Sequence, residues 1–166
     1  MKTILLLACC VVLPTAQAHV SLEQKSAVAG SYQKLTFRVG HGCEGSATTA
    51  ITIVLPEVIA GVKPMPKPGW NLTAGAREVA WRGLLPDSQF DEFNLWTKLP
   101  DAPGKHAFKV IQQCEKGRAE WSELPGAAGK FPAPVLEILP AAATGPSVAP
   151  GAAAAPAMAP GAMPHH

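Results

Sequence analysis

The chain has 166 residues, 14 lysines and arginines against 12 aspartates and glutamates, and 48% hydrophobic residues. So even a balance excludes the basic footprint of a nucleic-acid binder and suggests no basic membrane-binding face. The length left after the terminal segments suffices for one domain with a real core.

The first residues read as an export signal. Met1-Lys2 is a short positive start, and Thr3–Leu13 is an apolar run of signal length, too short for the ~20 residues of a bilayer span. Ala16-Gln17-Ala18 supplies a small-x-small cleavage pattern, which makes His19 the mature N-terminus of a periplasmic or otherwise exported protein. Leu6-Leu7-Ala8-Cys9 resembles a lipobox, but leaves too few residues before the cysteine for a normal signal. Cleavage removes Lys2, Cys9 and Cys10, so the mature chain is nearly neutral and keeps Cys43 and Cys114. Two cysteines in an exported domain pair as a disulfide more readily than they serve as soft metal ligands, and no CxxC spacing supports the second role.

Short runs with β-branched or alternating residues then recur between turn signals. His19–Gln24 reads as a first strand, Tyr32–Val39 as a second, and Ala50–Leu55 as a third after the Gly40–Gly45 loop. Pro64, Pro66 and Pro68 forbid a central strand and suggest an extended crossing to Trp70. Further strands are expected at Glu78–Arg82, Phe90–Trp96, Gly104–Gln113 and Arg118–Leu124, with Val135–Leu139 as a last edge strand. Seven or eight such strands predict an all-β, immunoglobulin-like antiparallel β-sandwich.

From about Pro140 alanine, proline and glycine dominate, which predicts a disordered C-terminal tail. The expected division is therefore a signal at 1–18, a β-domain at 19–140 and a tail at 141–166. Met158, Met163, His165 and His166 read either as weak metal ligands on that tail or as ordinary low-complexity sequence.

A mature N-terminal histidine has chemistry that an internal one lacks. Its α-amine and imidazole Nδ1 can close a chelate ring on one metal ion. With a reference α-amine pKa of ~7.7–8.0, modest affinity displaces the proton at neutral pH. Nitrogen ligands in a square plane suit Cu(II), which tops the divalent affinity series. If the first two long strands form a hairpin, the loop His41-Gly42-Cys43-Glu44-Gly45-Ser46 returns beside His19. A Cys43–Cys114 bond would then dock Glu115-Lys116-Gly117 at the same end and carry Trp121 toward the metal. Singly these residues have duller roles: His41 as a loop hydrogen-bonder, Glu44 as a solvated charge, Trp121 as core.

The motifs "AHVSLEQ", "TFRVGHGCEGSATTAITIVLPE", "VKPMPKPGW", "FDEF" and "QQCEKGRAEWSELP" occur in order over nearly all of His19–Pro140. In them the chain resembles the YcnI-like copper-binding domain family. The resemblance implies an immunoglobulin-like sandwich and a Cu(II) site built on the mature N-terminal histidine, a carboxylate and a nearby tryptophan. His19 matches the first and Trp121 of "AEW" the last. The stretch after Trp70 reads Asn71-Leu72-Thr73 without an acid, and the chain is short between Trp70 and Glu78. Glu44 is therefore assigned on topology, with Glu92 of "FDEF" in reserve.

The function expected is a non-enzymatic copper carrier or chaperone, with copper-trafficking proteins or a membrane copper transporter as partners. One alternative is an oxidative copper enzyme of histidine-brace type, which needs a second internal histidine. His41 and His106 are the only internal candidates. The other is a metal-free structural module.

Overall fold

Alternation along Tyr32–Val39 puts Leu35, Phe37 and Val39 on one face, and in the computed structural model all three are fully buried. The structure describes residues 19–141; the expected signal and all but the first residue of the expected tail lie outside the described residues. In chain order the strands are β1 (Ser21–Leu22), β2 (Ser26–Val28), β3 (Tyr32–Val39), β4 (Thr48–Val54), β5 (Lys63–Pro64) and β6 (Asn71–Ala74). They continue with β7 (Glu78–Leu85), β8 (Asp91–Lys98), β9 (Gly104–Ala107), β10 (Lys109–Cys114), β11 (Arg118–Trp121) and β12 (Val135–Leu139).

These form a sheet of order β1-β3-β8-β5, a second of order β11-β10-β4-β7-β6, and a small third of order β2-β12-β9. Among the strands of the described residues only the β2–β12 pair is parallel. Aromatic side chains fill the core between the two larger sheets. The rings of Phe37 and Phe108 meet edge-on at 5.2 Å, and those of Trp81 and Phe93 at 5.5 Å. Each such ring contributes roughly 1.5–3 kcal/mol by leaving water. The immunoglobulin-like sandwich expected from strand spacing is therefore the fold.

Several elements differ in detail. The run expected as one strand at Gly104–Gln113 divides at Phe108, which is fully buried and whose N–H donates to Pro134 O at 2.8 Å. Burying that ring turns the chain from the β12 partner on one side to the β4 partner on the other. Val135–Leu139, expected at an edge, lies between β2 and β9. β2 and β6 were not expected: one is three residues long, and the other is a largely exposed edge strand without β-branched alternation. The proline-rich stretch makes only the two-residue edge strand β5, and the buried Trp81 indole holds it by donating to Met65 O at 3.1 Å.

Candidate metal centre

The site begins with the antiparallel pairing of β1 and β3. Ser21 pairs with Arg38 and Leu22 with Phe37, so His19 emerges beside the residues that follow Val39. There the chain makes a tight turn at Cys43–Ser46. Cys43 N–H donates to Ser46 O at 3.0 Å, and Ser46 N–H donates back to Cys43 O at 2.9 Å. Glu44 and Gly45 at its corners have φ of 50° and 82°. Two successive left-handed residues are what a type I′ turn demands. Gly45 adopts this freely, whereas Glu44 bears a backbone cost of order 1–3 kcal/mol. Gly42 is required for a different reason, since a Cβ there would overlap Ser46 O.

Three anchors fix the loop. Cys43 and Cys114 form a disulfide with Cα atoms 6.0 Å apart, closing a separation of 71 residues. Asp87 Oδ1 accepts from Gly42 N–H at 2.9 Å. The turn after β10 docks through Glu115 N–H to Ala47 O at 2.9 Å and Lys116 N–H to Ser46 Oγ at 2.8 Å.

Gln112 is the hub beneath. Its side chain lies on the inward face of β10 and the residue is 1% exposed. Nε2 donates to His41 O at 2.7 Å and Thr48 Oγ1 at 2.8 Å, while Oε1 accepts from Trp121 Nε1–H at 3.1 Å. An amide is well suited here, because it both donates twice and accepts. Trp121 is thereby locked in orientation, with Phe131 edge-on at 5.2 Å and His19 at 5.8 Å.

His19, His41, Glu44 and Trp121 all line one open cleft. His41 Nδ1 lies 2.5 Å from Gly42 O, and because a carbonyl only accepts, the proton sits on Nδ1. That tautomer keeps the Nε2 lone pair for an ion. Glu92 is elsewhere: its Oε1 accepts from Arg38 at 2.8 Å, and this hydrogen bond holds the guanidinium still more firmly protonated. The reserve carboxylate is thus committed to an ion pair on the other strand pair. His106 sits on β9 in the small sheet and does not line the cleft. Met158, Met163, His165 and His166 lie outside the described residues.

Among the described residues no three of His, Cys, Asp and Glu are grouped so as to hold a metal with side chains alone. A metal at His19 would therefore need donors beyond these side chains, and a main-chain nitrogen is the nearest at hand. In the uncleaved chain that nitrogen is a peptide amide. The side chains that border the cleft include two imidazoles and the Glu44 carboxylate, with a tryptophan forming its wall, donor types that suit a nitrogen-rich site.

Sequence reasoning had not singled out Asp87, Gln112 or Phe131. For Gln112 a signal existed, because a polar residue stands between Val110 and Cys114 on the inward face of an alternating strand.

Fold and cleft together define an immunoglobulin-like sandwich with a histidine- and tryptophan-lined site at one end. The pattern of the family described as domain of unknown function (DUF1775) matches residues 19–80 and 71–138. The chain belongs to that family, the YcnI-like group its motifs resemble. It is 27% identical over 116 residues to a protein of Bacillus subtilis (strain 168) named copper-binding protein CutI, with 64% of this chain covered. The aligned region is 56% of that relative's length, so the match is to part of it. A crystal structure of a Nocardia farcinica protein with an immunoglobulin-like fold superposes with a TM-score of 0.62 at 30% identity, covering 73% of this chain and 98% of that one.

Proposed function

We propose that the chain, cleaved before His19 and exported, binds one Cu(II) ion at the cleft and carries it without catalysing a reaction. His19 supplies the amine–imidazole chelate, Glu44 a carboxylate oxygen, and Trp121 the wall that limits access. His41 offers a further imidazole through Nε2. The observation that carries the reading is the packing of the His19 ring against Trp121, at 5.8 Å, in the cleft that Glu44 borders. The left-handed backbone of Glu44 adds support, since strain of this kind concentrates at functional sites. The name of the Bacillus relative supports copper as the ion. Delivery to a copper-trafficking protein or membrane transporter would suit an open cleft.

The test is titration of Cu(II) into protein beginning at His19 and ending at Pro140, followed by tryptophan fluorescence and electron paramagnetic resonance. One equivalent should quench Trp121 and give a nitrogen-coordinated spectrum. Equal affinity in protein carrying an extra residue before His19 would overturn the chelate.

A further inference from the structure

The even charge balance hides a basic, aromatic surface that only the sheet register assembles. In the β1-β3-β8-β5 sheet, Trp96 on β8 is paired on one side with Lys34 and on the other with Lys63. In the neighbouring row Tyr32 is paired with Lys98. Directly paired residues share a face, so both rows stand on the same side. Tyr32 and Trp96 stack with ring centroids 6.1 Å apart and planes inclined by 12°, yet remain 62% and 46% exposed. Lys34, Lys63 and Lys98 are all exposed. Among the described residues none of the three has an ion-pair partner, whereas Lys67, Lys105 and Lys109 each do. Of the neighbouring carboxylates, Glu92 is held by Arg38 and Asp101 lies against Gly30, while the exposed Glu23 stands opposite Thr36 at the edge of the patch.

We propose that this face docks on an anionic lipid surface. Flat aromatic rings with polar edges favour the headgroup level of a bilayer, and lysines on long stems reach lipid phosphates around them. A peptide adding as a strand beside β5 is disfavoured, because that edge is two residues long and followed by Pro66 and Pro68. A sugar platform calls for fixed hydrogen-bonding groups beside the rings, whereas mobile ammonium groups recognise charge. The patch is also remote from the cleft. Tyr32 opens β3 and His41 lies just beyond its far end, and the eight residues of the strand span roughly 25 Å. A docked molecule would keep its cleft open.

The chain from His19 to His166 should co-sediment with vesicles containing phosphatidylglycerol and not with pure phosphatidylcholine vesicles, and added salt should release it. Neutralising each lysine, as Lys34→Gln, Lys63→Gln and Lys98→Gln, should weaken partitioning about fivefold apiece. Trp96→Ala should weaken it further while the circular dichroism spectrum stays unchanged. In the unaltered protein, brominated phosphatidylglycerol should quench Trp96, read as the signal lost in Trp96→Phe. The proposal is overturned by equal binding to the neutral vesicles, by no binding to the anionic ones, or by lysine variants that bind undiminished. Capture by polyglutamate with no binding to vesicles would overturn it in favour of an acidic protein partner.

Discussion

The indole N–H of Trp121 donates to Oε1 of Gln112 at 3.1 Å, so the ring that faces His19 is set by a buried amide on the neighbouring strand β10. The same amide holds the His41 carbonyl. Both walls of the cleft therefore depend on one side chain that borders it from below.

Replacing Gln112 with leucine would leave the Trp121 N–H, the His41 carbonyl and the Thr48 hydroxyl without this partner. Losing partners for buried polar groups costs ~1–3 kcal/mol. The urea midpoint should fall accordingly, and Cu(II) affinity should drop because Trp121 and His41 lose orientation. Unchanged stability and affinity would remove Gln112 from the architecture of the site.

The chelate prediction concerns the backbone nitrogen itself. An extra residue before His19 turns the amine into an amide while leaving the imidazole and fold in place. Cu(II) affinity should fall steeply, whereas thermal stability of the metal-free protein should hold. His19→Ala should produce a comparable loss, and Trp121 quenching would then need a large excess of copper.

Reduction of Cys43–Cys114 tests the anchor of the loop. Closing a separation of 71 residues stabilises the fold by roughly 4 kcal/mol in the chain-entropy picture. Reduced protein, or a Cys43→Ser/Cys114→Ser variant, should unfold at much lower denaturant. Its metal should be lost through disorder of the Glu44 turn and not through loss of sulfur ligands, so the copper spectrum of the oxidised protein should show no thiolate character.

Glu120 offers a pH test on the strand that carries Trp121. Its carboxylate lies 2.6 Å from Lys109 Nζ and 2.5 Å from Arg118, and the hydrogen bond from Lys109 holds its pKa below the ordinary 4.5. A lowered folded value means that the contribution is complete above the ordinary value and disappears as pH falls through the lowered one. The stability difference between the unaltered chain and Glu120→Gln should therefore be flat near neutrality and vanish in acid. Both partners are well exposed, so the difference should be small.

The tail prediction rests on composition. Deleting residues 141–166 should leave Cu(II) affinity at the cleft nearly intact, while Cu(I) retention or transfer falls, because thioethers such as Met158 and Met163 favour Cu(I). A large loss of Cu(II) affinity would place the main site in the tail.

What the sequence determined by itself was local or nearly so. Period-two alternation in Tyr32–Val39 marks β3 because successive side chains in a strand must face opposite ways. Proline at 64, 66 and 68 excludes a central strand because the ring removes a ladder donor. Cys43 and Cys114 could be paired because the exported domain would have no others. The hairpin argument placed His19 beside the His41–Ser46 loop, and a few ladder pairs sufficed for it. Tertiary structure decided what depends on register across distant strands. Gln112 becomes a hub only when β10, β4 and β11 align, and Glu44 shows its left-handed backbone only in the closed turn. The break at Phe108 follows from which core accepts the ring. Lys34, Lys63 and Lys98 are scattered along a nearly neutral chain, and overall charge balance gave no hint of a basic face. They become one surface because β8 lies between β3 and β5, a neighbour relation that composition cannot carry and hydrogen-bonded register can.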